Sequence, residues 1–159
     1  MDGLSVAASV IAVIQISQSV ASLCSQYFTA VKNAKPDIER LQGEVGRLKA
    51  VLEGAQQILG RPNGARLQTL QRLRDGLSGC ASQLNELEKK LKEKLDHRKT
   101  GKGISRFGFR ALKWPFEKEE VDSIIQILQR YRDTLSAALS IDTAYVMYLL
   151  TIIQANVIY

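Results

Sequence analysis

The chain has 159 residues, 45% of them hydrophobic and 24% charged, which suits one globular domain with a sizeable core and excludes a disordered chain. With one histidine, two cysteines and no glycine loop ending in Lys-Ser/Thr, there is no nucleophile–base pair, phosphate cradle or metal-ligand spacing, so no catalytic residue, metal site or cofactor is expected. The net charge of +6 is local: residues 89–113 hold ten Lys/Arg against two acids, while the remainder sums to −2.

The first segment, about Leu4 to Val31, has no charge between Asp2 and Lys32. Val6, Val10, Val13, Ile16, Val20, Cys24, Tyr27 and Val31 follow the 3–4 spacing of a helix, and Leu4, Ile11 and Ile14 form a second apolar set beside them. Small polar residues, mostly Ser and Gln, fill much of the rest. Such a helix is about 40 Å long and could cross a ~30 Å hydrocarbon core, but its polar content makes it a poor permanent span. No basic region precedes the apolar run, so it reads as a retained helix and not as a leader peptide. At rest, apolar residues on several sides predict a central position among other helices.

The second segment opens at Pro36, suited to a first helical position, with Asp37 and Glu39 at the positive end of the dipole. Ile38, Leu41, Val45, Leu48, Leu52, Ala55 and Leu59 then repeat at 3–4 spacing until Gly60, Pro62, Asn63 and Gly64 stop the helix. The third, about Ala65 to Leu95, carries Leu70, Leu73, Leu77, Cys80, Leu84, Leu87 and Leu91. Cys24 and Cys80 read as reduced core residues; a disulfide between the first and third helices stays open but nothing else suggests it. Residues 96–116, where Gly101, Gly103 and Gly108 alternate with basic residues and with Phe107, Phe109, Trp114 and Phe116, read as a loop. The fourth segment starts near Glu117 with an acidic first turn and carries Val121, Ile124, Leu128, Tyr131, Leu135 and Ala138.

Helices with one apolar face each require partners, so the expected fold is all-α: an antiparallel four-helix bundle over residues 1–142. The uncharged apolar tail, residues 143–159, reads as a helical continuation, with a separate fifth C-terminal helix as the alternative.

Two constellations point to function. Lys89, Lys90, Lys92, Lys94, Arg98, Lys99 and Lys102 form a basic cluster that is either a solvated helix end or a surface for acidic phospholipid, each cation adding ~1 kcal/mol near an anionic leaflet. Nucleic acid is a weaker reading of the same charges, because no recognition helix or stacking platform accompanies them. The charge-free first helix is the second: Leu4, Val6, Val10, Ile11, Val13, Ile14 and Val20 are the candidate membrane-inserting residues, buried in one state and released in another.

The opening Met1-Asp2-Gly3-Leu4-Ser5-Val6-Ala7-Ala8-Ser9-Val10, the element Leu112-Lys113-Trp114-Pro115-Phe116 and the run Leu135 to Asp142 together resemble the HeLo-like N-terminal domains of fungal NACHT and ankyrin-repeat receptors. That family is similar to the HeLo domain of heterokaryon-incompatibility proteins and to the helical bundle of mixed lineage kinase domain-like protein. The resemblance covers residues 1–142. It implies a non-enzymatic cell-death module that is cytoplasmic at rest and permeabilises the plasma membrane once activated. It also implies homo-oligomerisation, a receptor or amyloid-motif partner, and membrane targeting by the first helix. A soluble adaptor mediating homotypic association is the alternative. After Asp142 the chain departs from the pattern, with no nucleotide-binding domain, repeat array or prion-type motif in the tail.

Overall fold

A computed structural model of the chain describes residues 3–60, 67–100 and 113–157. Among them are four helices and no strand: α1 (Gly3–Ala30), α2 (Lys35–Leu59), α3 (Leu67–Thr100) and α4 (Lys118–Val157). Pro36 stands in the first turn of α2 beside Asp37, and the Gly60 amide closes that helix on the Gln56 carbonyl at 3.1 Å. At the start of α4, Glu120 reaches back and accepts the Glu117 amide at 3.2 Å, one half of a capping box.

Contacts between side chains fix the directions. Tyr27 and Ser19 meet Leu91 and Glu88, so α1 and α3 run parallel. Arg40 and Glu44 meet Asp122 and Arg132, so α2 and α4 run parallel. Lys90 meets Glu120 while Tyr131 and Leu135 lie over Gly79 and Gly76, so α3 and α4 are antiparallel. Consecutive helices therefore alternate in direction. Packing joins α1 to α2 and α3, and α4 to α2 and α3. Among the described residues α1 does not touch α4, so the four helices form a square with α1 and α4 on one diagonal.

The core lies along the centre of this square. Val10, Val20, Cys24 and Tyr27 of α1 meet Leu41, Val45, Leu48 and Leu52 of α2, Leu73, Leu77, Leu84 and Leu91 of α3, and Val121, Leu128 and Leu135 of α4. Cys24 and Cys80 are both free and buried. Two glycines let α3 and α4 approach closely. A Cβ on Gly79 would stand 2.7 Å from the Tyr131 ring, and one on Gly76 would stand 3.2 Å from Leu135 Cδ2.

Two expectations need correction. The first helix is not central: it occupies a corner, and the side away from α2 and α3 faces solvent through Leu4, Ala8, Ile11, Ala12, Gln15 and Gln18. Residues 96–100 are not loop but the last turns of α3, because Lys and Arg favour helix and suit its negative C-terminal end, and no breaker precedes Gly101. Helix α4 is continuous over Lys118–Val157. Phe107, Phe109 and the glycines 101, 103 and 108 lie outside the described residues.

Candidate functional site

Helix α1 carries the first candidate constellation. Of its seven singled-out residues, Val6, Val10, Val13, Ile14 and Val20 are buried in the core, while Leu4 is 79% and Ile11 43% exposed. The segment Leu4–Ala30 is long and apolar enough to cross a membrane by length and composition. Having no charge, α1 can form no ion pair, so apolar packing and a few hydrogen bonds hold it.

Those bonds are specific. Ser19 Oγ donates to Glu88 Oε1 of α3 at 2.5 Å, and Lys92 Nζ holds the same carboxylate at 2.9 Å. The Ser19 hydrogen bond, then the Lys92 hydrogen bond and charge, keep the Glu88 carboxyl below its ordinary range, against a smaller desolvation effect. The buried Tyr27 hydroxyl donates to the Leu91 carbonyl at 2.7 Å, and its ring meets Trp114 edge-on with centroids 5.3 Å apart. Trp114 packs in turn on Phe116 at 5.2 Å, with Lys90 Nζ 5.7 Å from the Phe116 centroid. On the α2 side, Gln42 Nε2 donates to the Ala21 carbonyl at 3.2 Å and to Ser25 Oγ at 2.7 Å.

The basic constellation lies at the end of the bundle that holds Tyr27 and Trp114. Lys89, Lys90, Lys92 and Lys94 are exposed on the last turns of α3. Two are engaged within the protein, Lys90 with Glu120 at 3.4 Å and Lys92 with Glu88. Arg98 and Lys99 continue the same helix, but their side chains, and all of Lys102, lie outside the described residues. The lysine cluster is level with the C-terminal part of α1. Leu4 sits at the opposite end, about 35 Å away along the bundle axis. Between the two, Ser19 of α1 meets Glu88 of α3 and through it Lys92.

A buried charge escaped the sequence reading. Glu44 of α2 is fully buried, with Arg132 of α4 3.3 Å from Oε1 and Arg47 3.2 Å from Oε2. The visible signal was its position three residues after Leu41 and one before Val45, which places it on the apolar face of α2. Its partner was not visible, because the register of α2 on α4 is a tertiary property. Among the described residues no three His, Cys, Asp or Glu side chains converge as a metal site.

Residues 1–147 match the family described as pigment biosynthesis cluster protein PigL N-terminal, and the chain belongs to that family. No curated protein and no solved structure matches the chain.

Proposed function

We propose that this helical domain is a membrane-targeting cell-death execution module, related to the HeLo-like domains, that permeabilises the plasma membrane after oligomerising and releasing α1. The observation that carries the reading is the combination found in α1. It is a charge-free helix of spanning length, set at a corner of the bundle, in contact with two of the other three helices and held by no ion pair. Acidic phospholipid is the proposed partner of the exposed lysines on α3, with further copies of the chain and a receptor or amyloid-motif protein as partners in activation. The protein is cytoplasmic at rest in this reading.

A soluble adaptor is the second reading. It is favoured by the burial of Val6, Val10, Val13, Ile14 and Val20, which a permanent bundle uses equally well.

Ala12 and Gln18 are exposed in the bundle, so charges there leave the resting core intact. Each Asp near the middle of a spanning helix opposes insertion by about 2.5–3.5 kcal/mol. Dye release from vesicles containing phosphatidylserine should therefore be lost in the Ala12→Asp/Gln18→Asp double variant while its helicity and melting stay close to the parent. Equal leakage by parent and variant would remove α1 as the inserting element. No binding and no leakage by the parent, even when oligomerised, would favour the adaptor.

A further inference from the structure

Helix α4 outlives the bundle it belongs to. Among the described side chains its last buried residue is Ala138, and the helix continues to Val157, about 28 Å further. Over that length the described side chains from Ser140 onward are exposed, including Met147 (60%), Tyr148 (63%) and Ile153 (57%), as well as Leu149, Leu150, Ile152 and Val157. Residues 143–159 contain no charge.

The apolar residues do not form a single stripe. At 100° per residue, Leu149, Ile153, Val157 and Leu150 cover one side of the helix, and Met147, Tyr148 and Ile152 cover the other. Only Thr151, Gln154 and Asn156 interrupt them. One partner helix or one groove would cover a stripe and leave the rest wet. A helix that is apolar all round needs an apolar medium on every side. Its length selects the depth. The apolar segment Met147–Val157 is about 16 Å long, roughly half of a ~30 Å hydrocarbon core. It matches one leaflet and cannot span two.

Position adds a second argument. The antiparallel register of α3 and α4, with Leu135 over Gly76, puts the first turns of α3 where the free part of α4 emerges. Exposed Arg72 and Arg74 lie on those turns, at the level that lipid headgroups would occupy. The exposed N-terminal end of α1, with Leu4, is at this same end of the bundle, and the lysine cluster is at the other. The family match stops at residue 147, so most of the apolar segment belongs to this chain beyond the matched region.

We infer that the free end of α4, residues 143–157, inserts into one leaflet of a phospholipid bilayer and docks the bundle on it by the Leu4 end, away from the lysine cluster. The inference rests on the α1 membrane reading above, replaces the α3 lysines by the free end of α4 as the element that first docks on lipid, and needs no release of any helix.

The test uses single labelled cysteines in the full chain. Cys24 and Cys80 are buried, and burial pushes the Cys80 thiol up to about 12, so an introduced surface cysteine is labelled selectively. An environment-sensitive fluorophore is placed at Ile153→Cys, at Ala8→Cys or at Glu93→Cys. Each protein is mixed with phosphatidylcholine vesicles containing phosphatidylserine, with and without brominated acyl chains. The Ile153→Cys label should shift to the blue and lose intensity to the bromines, while the Glu93→Cys label stays aqueous. Adding Leu149→Glu or Leu150→Glu should weaken partitioning at least about tenfold per charge, and toward a hundredfold if the site lies deep. A label at 153 that stays aqueous while the label at 8 enters lipid and the vesicles leak would overturn this inference and leave the α1 mechanism standing. Absence of any binding would overturn both. A blue shift at 153 that needs no vesicles and grows with protein concentration would show that a second copy covers α4, and would overturn the lipid assignment.

Discussion

Tyr27 is the anchor of α1 at the lysine-rich end, and two substitutions there separate its hydrogen bond from its ring. Tyr27→Phe removes only the buried bond to the Leu91 carbonyl. Leu91 lies inside α3, with four further helical residues to Leu95, so that carbonyl keeps its helical partner. The loss should be about 1 kcal/mol, in the middle of the range for one net hydrogen bond. Tyr27→Ala also removes a fully buried ring and its edge contact with Trp114 at 5.3 Å, leaving a cavity where α1, α3 and Trp114 meet. Large aromatic-to-alanine changes in a core cost about 3–5 kcal/mol. For a domain of this size 1 kcal/mol moves the melting temperature by about 2–4 °C, so the Phe variant should melt about 3 °C lower and the Ala variant on the order of 10 °C lower. Urea unfolding followed by circular dichroism gives the free energies, with an unchanged slope as evidence that both variants unfold the same structure. If Tyr27→Ala cost no more than Tyr27→Phe, the ring would not be packed against Trp114 and the account of this anchor would be wrong.

Three further predictions follow from the α1–α3, α3–α4 and α2–α4 contacts. Glu88 is held below its ordinary range by Ser19 first and Lys92 second, so this tie is present above the unfolded carboxyl value of 4.5 and is lost as pH falls through the lower folded value. Ser19→Ala should therefore be less stable than the parent at neutral pH, and the gap measured by urea titration should close in strong acid; a gap independent of pH would refute the assignment. Gly79→Ala should destabilise by about 1–3 kcal/mol through its contact with Tyr131, whereas Gly46→Ala, with open space around it, should stabilise by about 0.5–1 kcal/mol; like signs in thermal melts would contradict the packing described. Arg132→Ala should cost about 2–3 kcal/mol by leaving buried Glu44 with Arg47 alone, and Glu44→Leu/Arg132→Met should recover most of it; a double variant as unstable as the single would mean that the cost comes from lost packing and not from the stranded carboxylate.

The helical class was legible because leucine and valine repeat at 3–4 spacing and because Pro36, Gly60 and the acidic start of α4 mark helix ends. The interior residues of α2 and α3 were legible for the same reason: Leu41, Leu48, Leu73 and Leu84 are all fully buried. What the pattern cannot carry is the relation between helices. Apolar residues on several sides of α1 suggested a central helix, but small Ala and Ser side chains tolerate solvent, and the square leaves α1 at a corner. The Ser19–Glu88 and Glu44–Arg132 pairs join residues far apart in sequence, and each needs a register set by core packing. Gly76 and Gly79 look like helix-weakening residues until α4 is placed against them. The basic stretch was read as ending α3 too early because glycines C-terminal to it masked the helix-favouring lysines.

The packing of α1 constrains any mechanism that releases it. Val6, Val10, Val13, Ile14, Val20, Leu23, Cys24 and Tyr27 are buried, and at about 1.5–3 kcal/mol for each large side chain their exposure to water would cost on the order of 15 kcal/mol. That equals or exceeds the whole stability of an ordinary domain. Helix α1 therefore does not leave the bundle into water; its apolar face must pass from one apolar environment to another. A bilayer can supply that for α1, because hydrocarbon chains are as apolar as leucine. It does nothing for Leu41, Leu48, Leu77 and Leu84, which α1 helps to cover on α2 and α3. Those faces need protein, and the nearest complementary surface is that of another copy which has lost the same helix. Insertion and oligomerisation are thus one step in this reading and not two. Docking by the free end of α4 suits that step, because it holds the Leu4 end of each bundle at the lipid before any core contact is broken.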